Sequence, residues 1–319
     1  MKIKILDRAT LGADAPIDIL SGLGELEVFD GTTPEELTER IADADVIILN
    51  KVRIDAAALS CAARLRLICV TATGYDNIDI NAAKEHGVGV TNVPGYSTDS
   101  VTLFTMATTL ALVAHLREYN EYVRSGEYTA SGVANRLSPV YHEVRGLTWG
   151  VIGYGNIGRA VATVAKAMGA HVIANKRTPT QDVECVDIDT LCQRSDIITV
   201  HCPLSKDTHH LIDARRLGMM KPGAILVNEA RGAVVDSEAV CNAIENGTIG
   251  AYGADVYECE PFGKDHPFNR IMDRSNVLLT PHAAWGAYES RKRCVEIVAS
   301  NITAFFEDKI QNRVDIPKQ

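Results

Sequence analysis

The sequence has no excess of basic residues. Thirty-two lysines and arginines stand against 41 aspartates and glutamates, a formal net charge of −9. That balance argues against a non-specific grip on nucleic acid or an anionic membrane, so any anionic ligand must be met by a few local cations. No apolar run approaches the roughly 18 residues that a membrane span needs. The opening MKIKILDRAT carries two lysines but no apolar stretch or cleavage site, and no signal peptide is expected. None of the eight cysteines belongs to a CxxC pair. Scattered through apolar or helical contexts, they read as reduced thiols of a cytoplasmic protein, not as a disulfide framework. No internal repeat and no low-complexity tract is visible. What remains is a chain of 319 residues, 46% hydrophobic and 23% charged. Its composition is ordinary for a globular protein, and its length suits two domains better than one.

Short apolar runs alternate with helical patterns from end to end. The early runs are Ile3–Leu6, Leu26–Phe29, Val46–Leu49, Leu65–Val70 and Val88–Val93. Several are continuous rather than alternating, which predicts strands covered on both faces. Thr33-Pro34-Glu35-Glu36 is a helix start, with Thr33 as N-cap, Pro34 at the first helical position and Glu36 two further on. After Pro94-Gly95-Tyr96-Ser97 comes one long helical stretch, about Val101 to Ser125. Its first half is apolar almost all round and is expected to be buried between two domains. Residues 126–146 read as an extended arm. A second series of strands follows at Thr148–Gly153, His171–Asn175, Asp196–His201, Ala224–Asn228, Gly250–Val256 and Val277–Thr280, and a helix from about Glu289 to Glu307 closes the chain. Strand–helix alternation of this kind predicts parallel α/β sheets.

The strongest motif is Gly153-Tyr154-Gly155-Asn156-Ile157-Gly158. A lone GxGxxG is weak, but this one follows an apolar strand and opens a helix, the context a dinucleotide fingerprint requires. Gly153 allows the tight turn, Gly155 lets the backbone approach a pyrophosphate, and Gly158 lets helix and strand pack closely. The N–H groups of the helix start, at Asn156 and Ile157, would face the phosphates. An acid at the end of the next strand would bind a ribose 2′-hydroxyl. That place holds Asn175-Lys176-Arg177 instead. Two cations and an amide suit a 2′-phosphate, which favours NADP over NAD; the alternative is a solvated charged loop. Three more segments carry polar groups to strand ends: Asn228-Glu229-Ala230-Arg231-Gly232, Asp255 to Pro261, and Thr280-Pro281-His282-Ala283-Ala284-Trp285. Singly each is bland. After successive strands of a dinucleotide domain, an Arg, a Glu and a His are harder to dismiss. His209-His210 lies in a polar turn with no metal-ligand spacing, and no metal site is expected.

With these segments in place the sequence resembles the D-isomer-specific 2-hydroxyacid dehydrogenase family over nearly its whole length. The resemblance also rests on Ala72-Thr73-Gly74-Tyr75-Asp76-Asn77-Ile78-Asp79, on Asn92-Val93-Pro94-Gly95-Tyr96 and on His201-Cys202-Pro203-Leu204. It implies a Rossmann dinucleotide-binding domain, residues 98–288, inserted in a flavodoxin-like substrate domain of residues 1–97 and 289–319. The active site is expected in the cleft, with the arm helping to form a homodimer. The family's catalytic Arg, Glu and His fall on Arg231, Glu260 and His282. The resemblance further implies cofactor contacts from Cys202, Pro203, Glu229, Ala230, Asp255 and His282, with Asp255 at the nicotinamide carboxamide. Thr73 and Gly74 fall where backbone groups meet the substrate carboxylate. Asn50-Lys51-Val52 and the His282–Trp285 ending point to the glycerate dehydrogenase and hydroxypyruvate/glyoxylate reductase subgroup. No regulatory domain is expected after Asn312, against phosphoglycerate dehydrogenase, and Glu260 argues against formate dehydrogenases. The expected activity is hydride transfer between NAD(P) and a small 2-oxo acid. Trp285 would wall off the substrate pocket or, alternatively, pack under its loop. A corepressor or scaffold that senses the dinucleotide on the same fold is the alternative from another class.

Overall fold

A computed structural model describes residues 1–316. The chain divides into two compact units, Met1–Ser97 with the segment from Trp285 onward, and Thr98–Ala284. The return to the first unit comes at Trp285, ahead of the boundary at 289 read from the sequence, because the Trp285 ring already packs on that unit's core.

The first unit holds five parallel strands: β1 (Lys2–Ile5), β2 (Glu25–Val28), β3 (Val46–Leu49), β4 (Leu67–Val70) and β5 (Gly89–Thr91). Their order, β2-β1-β3-β4-β5, is that of a flavodoxin-like sheet. Alternate residues serve opposite faces. Ile47, Leu49, Ile68 and Val70 join one core cluster, while Val46, Ile48, Leu67 and Cys69 join another with Cys294, Val298 and Ile302 of the helix Tyr288–Phe306. A strand buried on both faces must be apolar at every position, which is why these runs are continuous. The helix Pro34–Ile41 starts as expected, with the Glu36 carboxylate accepting the Thr33 N–H at 2.9 Å.

The second unit holds seven parallel strands: β6 (Thr148–Ile152), β7 (His171–Asn175), β8 (Glu184–Cys185), β9 (Ile197–Val200), β10 (Ile225–Asn228), β11 (Ala251–Ala254) and β12 (Val277–Leu279). The order β8-β7-β6-β9-β10-β11-β12 reverses direction between β6 and β9, as in a doubly wound Rossmann sheet. The two-residue β8 carries no apolar run, so nothing in the sequence announced it. The long helix expected from Val101 is two helices, Thr98–Val113 and Leu116–Arg124, set at 64° to each other. His115, in the left-handed region at φ 49°, breaks them. The break falls where the apolar composition ends: the first helix buries eight residues and packs on β10, β11 and the helix Asn156–Ala167, whereas the second buries none. The arm contains a short helix, Glu127–Ser131, and is fastened by the Tyr119 hydroxyl to the Pro139 carbonyl at 2.6 Å. Among the described residues no single helix is long and apolar enough to cross a membrane, and no cluster of His, Cys, Asp and Glu is placed to hold a metal.

Candidate active site

The glycine turn after β6 is built for backbone to stand close to a ligand. Gly153 has φ +91°, and a Cβ there would lie 2.4 Å from the Cys202 nitrogen, so no side chain fits between the ends of β6 and β9. A Cβ at Gly158 would lie 2.3 Å from the Gly153 carbonyl oxygen, so the helix Asn156–Ala167 can start there only on glycine. Around Gly155 no atom lies within 4 Å of a Cβ, and its backbone opens onto free space at the helix start. Free N–H groups and the positive end of the helix dipole meet at this spot, so the residues present fit a dinucleotide pyrophosphate. Ile157 turns inward, against the core cluster beneath β6.

Beside this turn, at the reversal point of the sheet, β9 ends in His201-Cys202-Pro203. Burial pushes the Cys202 thiol up to about 11, so it is no nucleophile. Both ring nitrogens of His201 are buried without a hydrogen-bond partner, and burial holds the ring neutral, its pKa lowered to about 3. In the sequence His201 stands out only as part of His201-Cys202-Pro203-Leu204. At the end of β7, Asn175 donates to the Val186 carbonyl at 3.0 Å, so the amide is engaged in the strand end. Lys176 is half-buried and Arg177 exposed.

Arg231, Glu260 and His282 follow β10, β11 and β12, three neighbouring strands of one sheet. His282 Nδ1 and Glu260 Oε2 are 2.6 Å apart. Glu260 is itself held, its Oε1 accepting the Tyr257 N–H at 3.1 Å. With Nδ1 committed to the carboxylate, Nε2 is the nitrogen that can pass a proton to a ligand. His282 adopts the left-handed region at φ 53°, which few residues other than glycine adopt. The Asp255 carbonyl imposes it in part, accepting the His282 N–H at 2.8 Å.

The Arg231 loop is shaped by Asn228, whose side chain donates to the Arg231 carbonyl at 2.9 Å and accepts the Ala230 N–H at 3.1 Å. The next residue must be glycine, since a Cβ at Gly232 would lie 1.9 Å from the Tyr257 carbonyl carbon. The Arg231 and Glu260 loops are thus pressed backbone to backbone. Tyr257 also donates its hydroxyl to the Thr280 carbonyl at 2.7 Å, tying the Glu260 loop to the His282 loop. Asn228, Gly232 and Tyr257 lie within segments named from the sequence, but no local pattern gives them a role of their own. Each is a positioning residue recognisable only once the three loops are side by side.

Asp255 was assigned to a cofactor contact, and its carboxylate has a structural duty as well. Oδ1 accepts the Thr280 hydroxyl at 2.7 Å and the Ala283 N–H at 2.8 Å, and Oδ2 accepts the Ala284 N–H at 2.8 Å. This buried carboxylate clasps both sides of His282. Glu229 is buried also, and burial together with the Asp255 charge pushes its carboxyl up to about 8.

In the first unit, the Thr73 hydroxyl donates to the Val93 carbonyl at 3.0 Å and the Thr73 carbonyl accepts from the Asn92 side chain at 2.7 Å, fixing the Thr73-Gly74 turn beyond β4. Trp285 is half-buried against the core and meets Tyr96 edge to face, ring centres 6.1 Å apart. His209 and His210 stack at 4.1 Å, and His210 lies 3.5 Å from the Glu258 carboxylate.

Residues 106–284 match the family model described as D-isomer specific 2-hydroxyacid dehydrogenase, NAD binding domain. The chain is 33% identical to a hydroxypyruvate reductase of Blautia hydrogenotrophica, over 99% of this chain and 100% of that protein. It is 36% identical to a glycerate dehydrogenase of Methylorubrum extorquens, over 98% and 99%. It also superposes on the structure of D-lactate dehydrogenase from Aquifex aeolicus complexed with NAD and lactic acid, with a TM-score of 0.87, 29% identity and 100% of both chains covered.

Proposed function

Since this chain belongs to the D-isomer-specific 2-hydroxyacid dehydrogenase family, we propose that it reduces a small 2-oxo acid, hydroxypyruvate or glyoxylate, to the D-2-hydroxy acid. The bound dinucleotide supplies the hydride. One observation carries the reading: the Glu260–His282 pair, 2.6 Å apart, joins the loops after β11 and β12, beside the loop after β10 that carries Arg231. Arg231 binds the substrate carboxylate and polarises the ketone oxygen. His282 Nε2 donates a proton to that oxygen, and Glu260, bonded to Nδ1, orients the ring. Thr73, Gly74 and Trp285 are the first unit's proposed contributions to substrate binding. On the cofactor side the proposal assigns Gly153, Gly155, Asn156, Ile157, Gly158, Cys202, Pro203, Glu229, Ala230 and Asp255. Lys176 and Arg177 favour NADPH, because a 2′-phosphate would gain charge-assisted hydrogen bonds from them.

The protein is further proposed to act in the cytoplasm as a homodimer. Leu116, Val123, Leu137, Val140 and Tyr141 expose apolar surface on the helix Leu116–Arg124 and the arm, the part of the chain best suited to meet a second copy. The test of activity is a panel of 2-oxo acids run with NADH and with NADPH, following loss of nicotinamide absorbance. Turnover of hydroxypyruvate or glyoxylate supports the reading. Dinucleotide binding without turnover of any acid would leave the sensing scaffold in its place.

A further inference from the structure

Glu229 is given above only a place on the cofactor side and no chemical role, yet it is the first residue after β10 and only 7% exposed. Neither carboxyl oxygen makes a hydrogen bond of normal geometry. The groups that face it are the Thr108 hydroxyl of the helix Thr98–Val113, the Asp255 carboxylate just beyond β11, and the phenols of Tyr252 and Tyr257. No cation among the described residues faces it. A buried carboxyl group left without a partner carries a desolvation cost that folded proteins seldom leave unmet.

Once ionised, this carboxylate would need a positive charge beside it, and the sheet indicates where one would come from. The glycine turn and β7 take the pyrophosphate and the first ribose of a dinucleotide. The other half of the molecule then lies over the carboxyl ends of β9, β10 and β11, where Glu229 and Asp255 stand. An oxidised nicotinamide ring is cationic and a reduced one is neutral. We propose that Glu229 is a proton-linked selector between the two redox states of the cofactor: oxidised dinucleotide binds with release of the Glu229 proton, and reduced dinucleotide binds without it. This rests on the nicotinamide reading given under the proposed function.

Burial and Asp255 keep the proton on Glu229 through the neutral range in the free protein. A cation over the site lowers its affinity for that proton. By linkage, affinity for the oxidised form rises with pH by up to about tenfold per unit and levels off above about pH 8. Affinity for the reduced form stays flat through this ionisation.

Calorimetric titration of the full chain with NAD+, NADP+, NADH and NADPH, near neutral pH in buffers of different ionisation enthalpy, counts the protons. Release on binding the oxidised forms and none on binding the reduced forms is expected. In Glu229→Gln the release disappears and the dissociation constant of the oxidised form loses its pH dependence. Unchanged release in Glu229→Gln overturns the inference, as does wild-type protein that releases protons with both redox states or with neither; the cofactor reading then survives. Failure of all four dinucleotides to bind overturns both together.

Discussion

Asp255→Asn tests whether the clasp around His282 matters for turnover. The carboxylate accepts three hydrogen bonds from the loop, from Thr280, Ala283 and Ala284. An amide can accept on one side only. With its oxygen toward Thr280 and Ala283, its NH2 group faces the Ala284 N–H, and that buried donor is left without an acceptor. One unmet donor costs about 1–3 kcal/mol, and hydrogen bonds to a charged acceptor lose roughly half their strength when the charge goes. The loop relieves the clash by moving away, and Ala283 and Ala284 directly follow His282. A displacement on the order of 1 Å at a catalytic group costs about 10²-fold in rate. The expected variant is folded, about 1–3 kcal/mol less stable by denaturant titration, and slower in kcat by roughly 10–10². Dinucleotide affinity, read by calorimetry, changes much less than kcat. Wild-type kcat with a weakened dinucleotide would refute the clasp and leave Asp255 as a cofactor contact alone.

The strands were legible because burial on both faces leaves no room for polar residues. Val46–Leu49 is read correctly to the residue for that reason, and β8 is missed because two residues at the sheet edge, one exposed and one half-buried, need no apolar run. The helical break at His115 was hidden by composition: the residues on either side are both good helix formers, and only the change from a buried helix to one with no buried residue marks the turn. The site divides in the same way. Arg231, Glu260 and His282 each follow an apolar run, so their place at strand ends could be read in one dimension. That Gly232 must be glycine depends on a backbone 25 residues further along the chain, and no local pattern records such a contact. Glu229 misleads for the opposite reason. An acid after a strand is normally solvated, but this one lies beneath the helix Thr98–Val113, whose position is a tertiary fact. Asp255 was read as a ligand contact, while the hydrogen bonds that occupy both its oxygens come from residues beyond the following strand.

His282→Ala removes the proposed proton donor and should lower turnover by about 10²–10⁴, with dinucleotide affinity nearly intact; turnover close to wild type would sink the assignment. Glu260→Gln keeps an acceptor for Nδ1 but loses the charge-assisted bond that holds the ring, so kcat should fall with dinucleotide affinity nearly intact; a wild-type kcat counts against the pair. Lys176→Asp should shift preference from NADPH toward NADH, measured as the ratio of kcat/KM values, and a wild type that already favours NADH strongly shows the two cations serving solvent instead. Trp285→Ala separates two duties of one ring. Its edge-to-face contact with Tyr96 and its seat on the core predict a stability loss near the lower end of about 3–5 kcal/mol, since the ring is only half-buried. If the exposed remainder bounds the substrate beyond C3, the variant also gains activity on phenylpyruvate and 2-oxoisocaproate relative to hydroxypyruvate. The indole N–H, which can meet the hydroxyl of hydroxypyruvate, is lost at the same time. The ranking of substrates decides the matter, because core loosening lowers activity on all of them together. A ranking unchanged while stability falls leaves Trp285 as a core residue, and a wild type that already prefers phenylpyruvate removes the size argument altogether.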